Sequence, residues 1–207
     1  MLRLIGAILM LIDHVGYVFF PDLAAFRLVG RLSFPLFAYQ TTISFKKTSN
    51  FQNYLARLGF WAVIAEIPFI LVFKTGLNIL FTFFIGVIAL KLFDSTNNKF
   101  LRGFYVVSFA LLAFFLRTDY GAYGMLLLFV FYIFSREKVY NFVSQVFLSY
   151  IVAVAYSFPV QIASPFSFFI IYSKAGEKRL NLGKYFFYIF YPLHLLIIYF
   201  IAIYLFK

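Results

Sequence analysis

Apolar runs of about twenty residues, separated by short polar breaks, repeat along almost the whole chain. An α-helix needs about 20 apolar residues to cross the hydrocarbon core of a bilayer. On that length the pattern predicts about nine helices, at 2–20, 24–44, 54–73, 77–93, 103–117, 119–134, 139–157, 159–173 and 183–206. Pro21, Pro159 and the Gly121/Gly124 pair mark turns or helix starts. Loops are short and no internal repeat is visible, so residues 1–207 read as one domain: an all-α, polytopic membrane helix bundle. The first segment is too long for a signal-peptide core, and no small-residue cleavage motif follows Phe20, so it reads as retained. Arg117-Thr118-Asp119-Tyr120 leaves almost no loop between the fifth and sixth spans. Merging those two would invert everything after them.

Composition agrees. Of 207 residues, 64% are hydrophobic and only 12% charged, against about 25% charged in a soluble domain. The net charge of +11 is not a nucleic-acid signature, because the basic residues lie in scattered short loops. With the N-terminus inside, thirteen lysines and arginines fall on the inner side and five on the outer. By the positive-inside rule the N-terminus is then cytoplasmic and the C-terminus external, in the cytoplasmic membrane of the cell. The chain has no cysteine, which excludes disulfides, thiolate metal sites and a cysteine nucleophile.

The candidate chemistry lies in polar groups within apolar spans. Asp13 and His14 sit side by side in the first segment. A carboxylate there costs several kcal/mol, of order 3 at a helix centre, unless it is paired or hydrated, and histidine titrates near neutral pH. Arg27 and Arg31, spaced i, i+4, share one face of the second helix, and Pro35 is expected to kink it. Arg31 falls at a depth similar to Asp13 and His14, so the three can form a structural ion pair or a reaction centre. Glu66 precedes Pro68 in the third span. Asn78 opens the fourth and is either an N-cap or a site residue. Asp119 and Tyr120 lie at the outer end of the fifth-to-sixth turn. His194 follows Tyr191 and Pro192 in the last span, where the proline disrupts the helix and frees a carbonyl. Arg57 lies near the inner surface, either as a snorkelling anchor or as a phosphate contact. Two histidines and scattered acids suit no zinc site.

Seven segments in order resemble the TraX family, membrane proteins named for acetylation of conjugative pilin. They are Met10-Leu11-Ile12-Asp13-His14-Val15-Gly16, the stretch Gly30 to Tyr39 through Arg31-Leu32-Ser33-Phe34-Pro35, Tyr54-Leu55-Ala56-Arg57-Leu58, Glu66-Ile67-Pro68-Phe69, Leu77-Asn78-Ile79-Leu80-Phe81-Thr82, Asp119-Tyr120-Gly121, and Phe186 to His194 ending in Tyr191-Pro192-Leu193-His194. The resemblance implies an integral-membrane acetyltransferase, distantly similar to the acyltransferases that modify sugars through an intramembrane histidine. Acetyl-CoA would then be the donor, bound from the cytoplasm. The chain departs from the family where a Glu-Gly and a Thr-Arg are usual, reading Thr41 to Asn50, and where Tyr-Asn-Gly is usual, reading Tyr172-Ser173-Lys174-Ala175-Gly176.

On this reading His14 is the base, or a transiently acetylated relay, in an acetyl-CoA-dependent O- or N-acetyltransferase. Asp13 or Asp119 orients it, although adjacent helix positions diverge by about 100° and Asp13 then faces Arg31 instead. Arg31 or Tyr191 stabilises the oxyanion, and His194 is a further catalytic candidate. Lys46, Lys47, Arg57, Lys174 and Lys178 supply charge for the CoA phosphates, with Glu66, Asn78 and Tyr120 in support. The acceptor is an amine or hydroxyl on a peptide, a pilin-like protein, a glycan or a small molecule, and homo-oligomers remain open. Intramembrane Asp, Glu and His also suit a proton-coupled transporter or flippase, and a non-catalytic assembly factor is the third reading.

Overall fold

The computed structural model describes residues 1–177, 180 and 182–205, and every regular element among them is helical. Helix α1 spans Leu2–Phe19, α2 Ala24–Gly30, α3 Ser33–Lys47, α4 Phe51–Phe73, α5 Ile79–Asp94, α6 Lys99–Phe115, α7 Gly121–Ile133 and α8 Lys138–Ala155. A 3₁₀ helix over Pro159–Phe166 leads into α9, Ser167–Ile171. The short α10, Lys174–Glu177, precedes α11, Phe186–Leu205. Helices α1, α4, α8 and α11 are long and apolar enough to cross a membrane, whereas α3, α5, α6 and α7 are shorter. The chain is therefore an all-α membrane bundle.

Two expected spans are broken. The segment expected at 24–44 ends at Arg31 and restarts at Ser33. Pro35 explains the position. It has no N–H, and its ring would collide with the carbonyl four residues back, on Arg31. The break puts Pro35 in the first turn of α3, where neither defect matters. Arg31 keeps a helical bond from its N–H to the Arg27 carbonyl (3.0 Å), so the two arginines still share a face. The segment expected at 159–173 is largely 3₁₀, carrying Pro159 and Pro165. The region 103–134 forms two helices, α6 and α7, which pack on one another. Helix α11 runs through Pro192 without ending there.

The core is built on α5 and α7, whose Leu80, Phe83, Val87, Leu90, Met125, Leu127 and Leu128 are buried on several sides. Helix α1 packs on α2, α3 and α11, and α4 packs on α5 and α11. Small residues permit the closest approaches, as is usual where helices meet in lipid. A Cβ on Gly16 would lie 2.1 Å from Phe26 Cβ, and one on Gly30 would lie 2.1 Å from Asp13 Oδ1. Helix α8 buries Asn141, Gln145 and Ser149, spaced i, i+4, i+8, against Gln161, Ser164 and Ser167. Tyr123 joins this seam through Ser164 (2.7 Å) and Ser149 (3.3 Å), and Gln145 donates to Asn141 Oδ1 (2.7 Å). The Tyr123 bonds tie α7 to α8 and to the 3₁₀ helix where water offers no alternative.

Glu66 and Asn78 fasten α4 to the start of α5. Asn78 donates its backbone N–H (3.0 Å) and Nδ2 (2.6 Å) to Glu66 Oε2, donates Nδ2 again to the Ala62 carbonyl (2.7 Å), and accepts from Leu80 N (2.9 Å). Asn78 is thus the N-cap of α5 and a helix tie. Nearby, Leu77 and Thr118 form an isolated parallel bridge joining the α4–α5 and α6–α7 turns. Gly76 (φ 63°) is needed there, because a Cβ would meet the Arg117 carbonyl at 2.3 Å. Replacing Asn78 with alanine strands both Glu66 and the first turn of α5, and should cost about 2 kcal/mol of stability. Thermal unfolding in detergent checks this, and an unchanged midpoint would contradict it.

Candidate functional site

Helices α1 and α11 both begin at the end of the bundle where Arg3 donates to the Gly183 carbonyl (3.4 Å). His14 lies about 18 Å along α1 from Leu2, at 1.5 Å per residue. It meets His194 of α11, with His14 Nδ1 2.8 Å from His194 Nε2. The ring centroids are 5.0 Å apart and the planes differ by 6°. With the nitrogens that close, the rings are coplanar and joined edge to edge rather than stacked face to face.

The bonding order fixes the protons. His194 Nδ1 lies 2.8 Å from the Phe190 carbonyl. A carbonyl only accepts, so His194 Nδ1 carries the proton and, in the neutral ring, Nε2 is bare. His14 Nδ1 must then donate to it. The neutral His14 is left with an unprotonated Nε2. His14 lines a chamber of about 230 Å³ together with Asp13, Tyr17, Arg27, Arg31, Asp119, Tyr120 and Tyr191, while His194 stands behind it.

Asp13 does not orient His14, contrary to one of the sequence expectations. Its carboxylate is taken by two arginines: Arg31 Nη2 to Oδ2 at 2.8 Å and Arg27 Nη1 to Oδ1 at 2.9 Å. Arg27 also donates to the Asp13 backbone carbonyl (3.3 Å). The carboxylate and imidazole diverge because successive residues on a helix turn by about 100°. Arg31 is further held between the rings of Tyr120 and Phe158, 5.4 and 5.3 Å from its Cζ. Its Nε and the Tyr191 hydroxyl are buried without a hydrogen-bond partner among the described residues, and both residues line the chamber. Two unused donors therefore border the space His14 faces. Asp119 also lines it, with its backbone fixed by Leu77 (2.7 Å) and by Thr82 Oγ1 (2.5 Å). Tyr120 takes a left-handed conformation (φ 62°) and stacks on Phe34 at 3.9 Å. Glu66 and Asn78 lie outside the lining, in the tie described above.

A second cavity, of about 800 Å³, opens at the opposite end. Arg3, Lys47, Arg57 and Lys184 line it, and no carboxylate does among the described residues. Arg57 sits between Tyr54 and Tyr188, 5.5 and 5.8 Å from their ring centres. Of the five residues expected to hold phosphates, Lys47 and Arg57 are here. Lys46 is not: it donates to the Tyr132 carbonyl (3.0 Å) and Ser135 (2.8 Å), closing the end of α7. Lys174 does not line the cavity, and Lys178 lies outside the described residues. Arg3 and Lys184 were legible only as topology-setting charge. Rings bridge the two cavities. Phe37, Phe83 and Phe187 line the basic one, and Phe34 and Tyr191 line the chamber. Phe83 contacts Phe34 (5.9 Å) and Phe187 contacts Tyr191 (6.0 Å). Among the described residues, no three His, Asp or Glu side chains gather as metal ligands.

The profile of the family described as TraX protein matches residues 1–202. The chain belongs to the TraX family. It is similar to the probable fimbrial assembly protein FimC, serogroup H1, of Dichelobacter nodosus. The two are 29% identical over 227 aligned positions covering 94% of this chain and 91% of that protein. It is also similar to the uncharacterized protein RP591 of Rickettsia prowazekii (strain Madrid E), 26% identical over 144 positions, covering 67% of this chain and 56% of that protein. No solved structure matches this TraX chain.

The two arginines on Asp13 should differ in weight. Arg31→Ala leaves a buried carboxylate short of its better-shielded partner and should cost about 3–5 kcal/mol. Arg27 has a side chain 20% exposed, and Arg27→Ala should cost about 1 kcal/mol or less. Thermal unfolding of the two variants side by side checks the order; equal losses would contradict it.

Proposed function

We propose that this chain is an integral-membrane acetyltransferase that moves an acetyl group from acetyl-CoA to an amine or hydroxyl, with His14 as general base. The observation that carries this reading is the bare Nε2 of His14 beside a polar chamber, with its other nitrogen held by His194. A base must present a lone pair where the acceptor proton lies, and a second group must hold its tautomer.

The acceptor N–H or O–H gives its proton to His14 Nε2 as its heteroatom bonds to the thioester carbonyl carbon. The imidazolium shares its Nδ1 proton with His194, whose own Nδ1–H stays on the Phe190 carbonyl. The Arg31 Nε–H and the Tyr191 hydroxyl are the donors for the oxyanion. As the intermediate collapses, the carbon–sulfur bond breaks and the thiolate recovers the proton from His14. Atoms and charge balance without a further reactant. His194 acts through His14 and is a positioning residue in this scheme.

The basic cavity suits a donor carrying several phosphates: four cations line it without a carboxylate to compete. Its placement at the end rich in lysine and arginine fits a cytoplasmic entry with the N-terminus inside. The similarity to a probable fimbrial assembly protein supports a product destined for the cell surface.

Acetyl-CoA turnover by protein in lipid vesicles tests this. His14→Ala should abolish it while the melting temperature stays within a few degrees. His194→Ala should lower kcat by about 10²-fold, the lower part of the range for a general base, and leave KM for acetyl-CoA unchanged. Arg57→Ala and Lys47→Ala should each raise that KM about tenfold, the loss of one charge-assisted contact. Full turnover in His14→Ala would overturn the mechanism.

A further inference from the structure

A groove of about 410 Å³ runs along the seam of α1, α4 and α11, lined by Val18, Leu71, Val72, Lys74, Ile198, Tyr199, Ala202 and Ile203. It lies one turn beyond the histidine pair, since Val18 follows His14 by four residues and Ile198 follows His194 by four. It also backs directly onto the chamber. Tyr17, Phe73 and Thr75 line the chamber, and their chain neighbours Val18, Val72 and Lys74 line the groove. The partition is the ring pair Tyr17 and Phe73, 4.9 Å apart, with Phe73 also packed edge-on to His14.

We propose that this groove binds a hydrocarbon chain of an anionic phospholipid, with the lipid phosphate held by Lys74 at the rim of the chamber. Three observations carry it. Among the described residues the lining is apolar except for Lys74 and the Tyr199 hydroxyl, and Lys74 is its one ionised group. The groove is small, about 410 Å³: a helix with its side chains is about 10–12 Å across and would lay only one face on it, whereas a stretch of alkyl chain fits it. Lys74 stands exposed at the C-cap of α4, in the left-handed conformation (φ 57°), beside Thr75 of the chamber. A cation there complements a phosphate and places the lipid head group at the turn that supplies Thr75 to the chamber. The inference goes beyond the transferase reading and stands without it, because it concerns binding alone.

Native mass spectrometry of the full chain, released from detergent after equilibration with phosphatidylglycerol or phosphatidylcholine, tests the site. The wild type should retain one phosphatidylglycerol, preferred over phosphatidylcholine about fivefold, the effect of one lysine near a lipid phosphate. Lys74→Gln should abolish the preference and keep the binding. Ala202→Phe should fill the groove and cut retention at least about tenfold. Ile203→Trp, at a more exposed position, serves the same purpose should Ala202→Phe fail to fold. Val143→Phe, on the lipid-facing side of α8, should change nothing. Undiminished retention in both groove-filling variants would overturn the proposal. So would displacement of the lipid by an apolar transmembrane peptide whose own binding Ala202→Phe blocks, which would assign the groove to a peptide. Acetyl-CoA turnover by the same samples reports on the transferase reading independently. Loss of lipid retention with His14-dependent turnover intact removes only the lipid site.

Discussion

The pairing of Asp13 with two arginines sets the geometry on which the rest depends. A lone carboxylate at that depth is too costly to persist. Two guanidiniums on one carboxylate neutralise it and tie α2 to α1. The contact needs Gly30, because any side chain there would occupy the place of the Asp13 carboxylate. It also depends on the broken helix. Pro35 forces the stop at Arg31, and the stop leaves Arg31 free to lie between Tyr120 and Phe158. One proline, one glycine and one acid thus fix a cation at the wall of the chamber.

That arrangement releases His14 for other work. Because Asp13 points to α2, its neighbour points to α11, where His194 and the Phe190 carbonyl specify its tautomer. The ordering agent is a backbone carbonyl acting through a second imidazole, in place of the usual carboxylate. A neutral imidazole costs less to bury than a second carboxylate would. Arg3, Lys47, Arg57 and Lys184 line the basic cavity at the other end, apart from this pair.

Much of this was legible in the chain, and the gaps have physical causes. Span length and lysine bias follow directly from the bilayer. Asp13, His14 and Arg31 stand out because charge in lipid needs a reason. The His14–His194 bond was not legible, because the two residues lie at opposite ends of the chain and meet only through the packing of α1 on α11. Arg27 was visible as a helical neighbour of Arg31, but its claim on Asp13 depended on how α2 turned. Lys46 and Lys47 could not be told apart in sequence. One closes α7 and the other lines the cavity, because adjacent side chains leave a helix on different faces. The seam of Asn141, Gln145 and Ser149 carried a clear signal in its i, i+4, i+8 spacing, one that attention to charged groups passes over.

The most direct test is spectroscopic. The chain has only two histidines, so nitrogen-15 histidine labelling in lipid vesicles gives four ring resonances, assigned by comparison with His14→Ala. Near neutral pH the account predicts a proton on His14 Nδ1, shared with His194 Nε2, and a bare His14 Nε2. A proton found on His14 Nε2, with Nδ1 bare, would contradict it, since the nitrogen facing the chamber would then have no lone pair to offer.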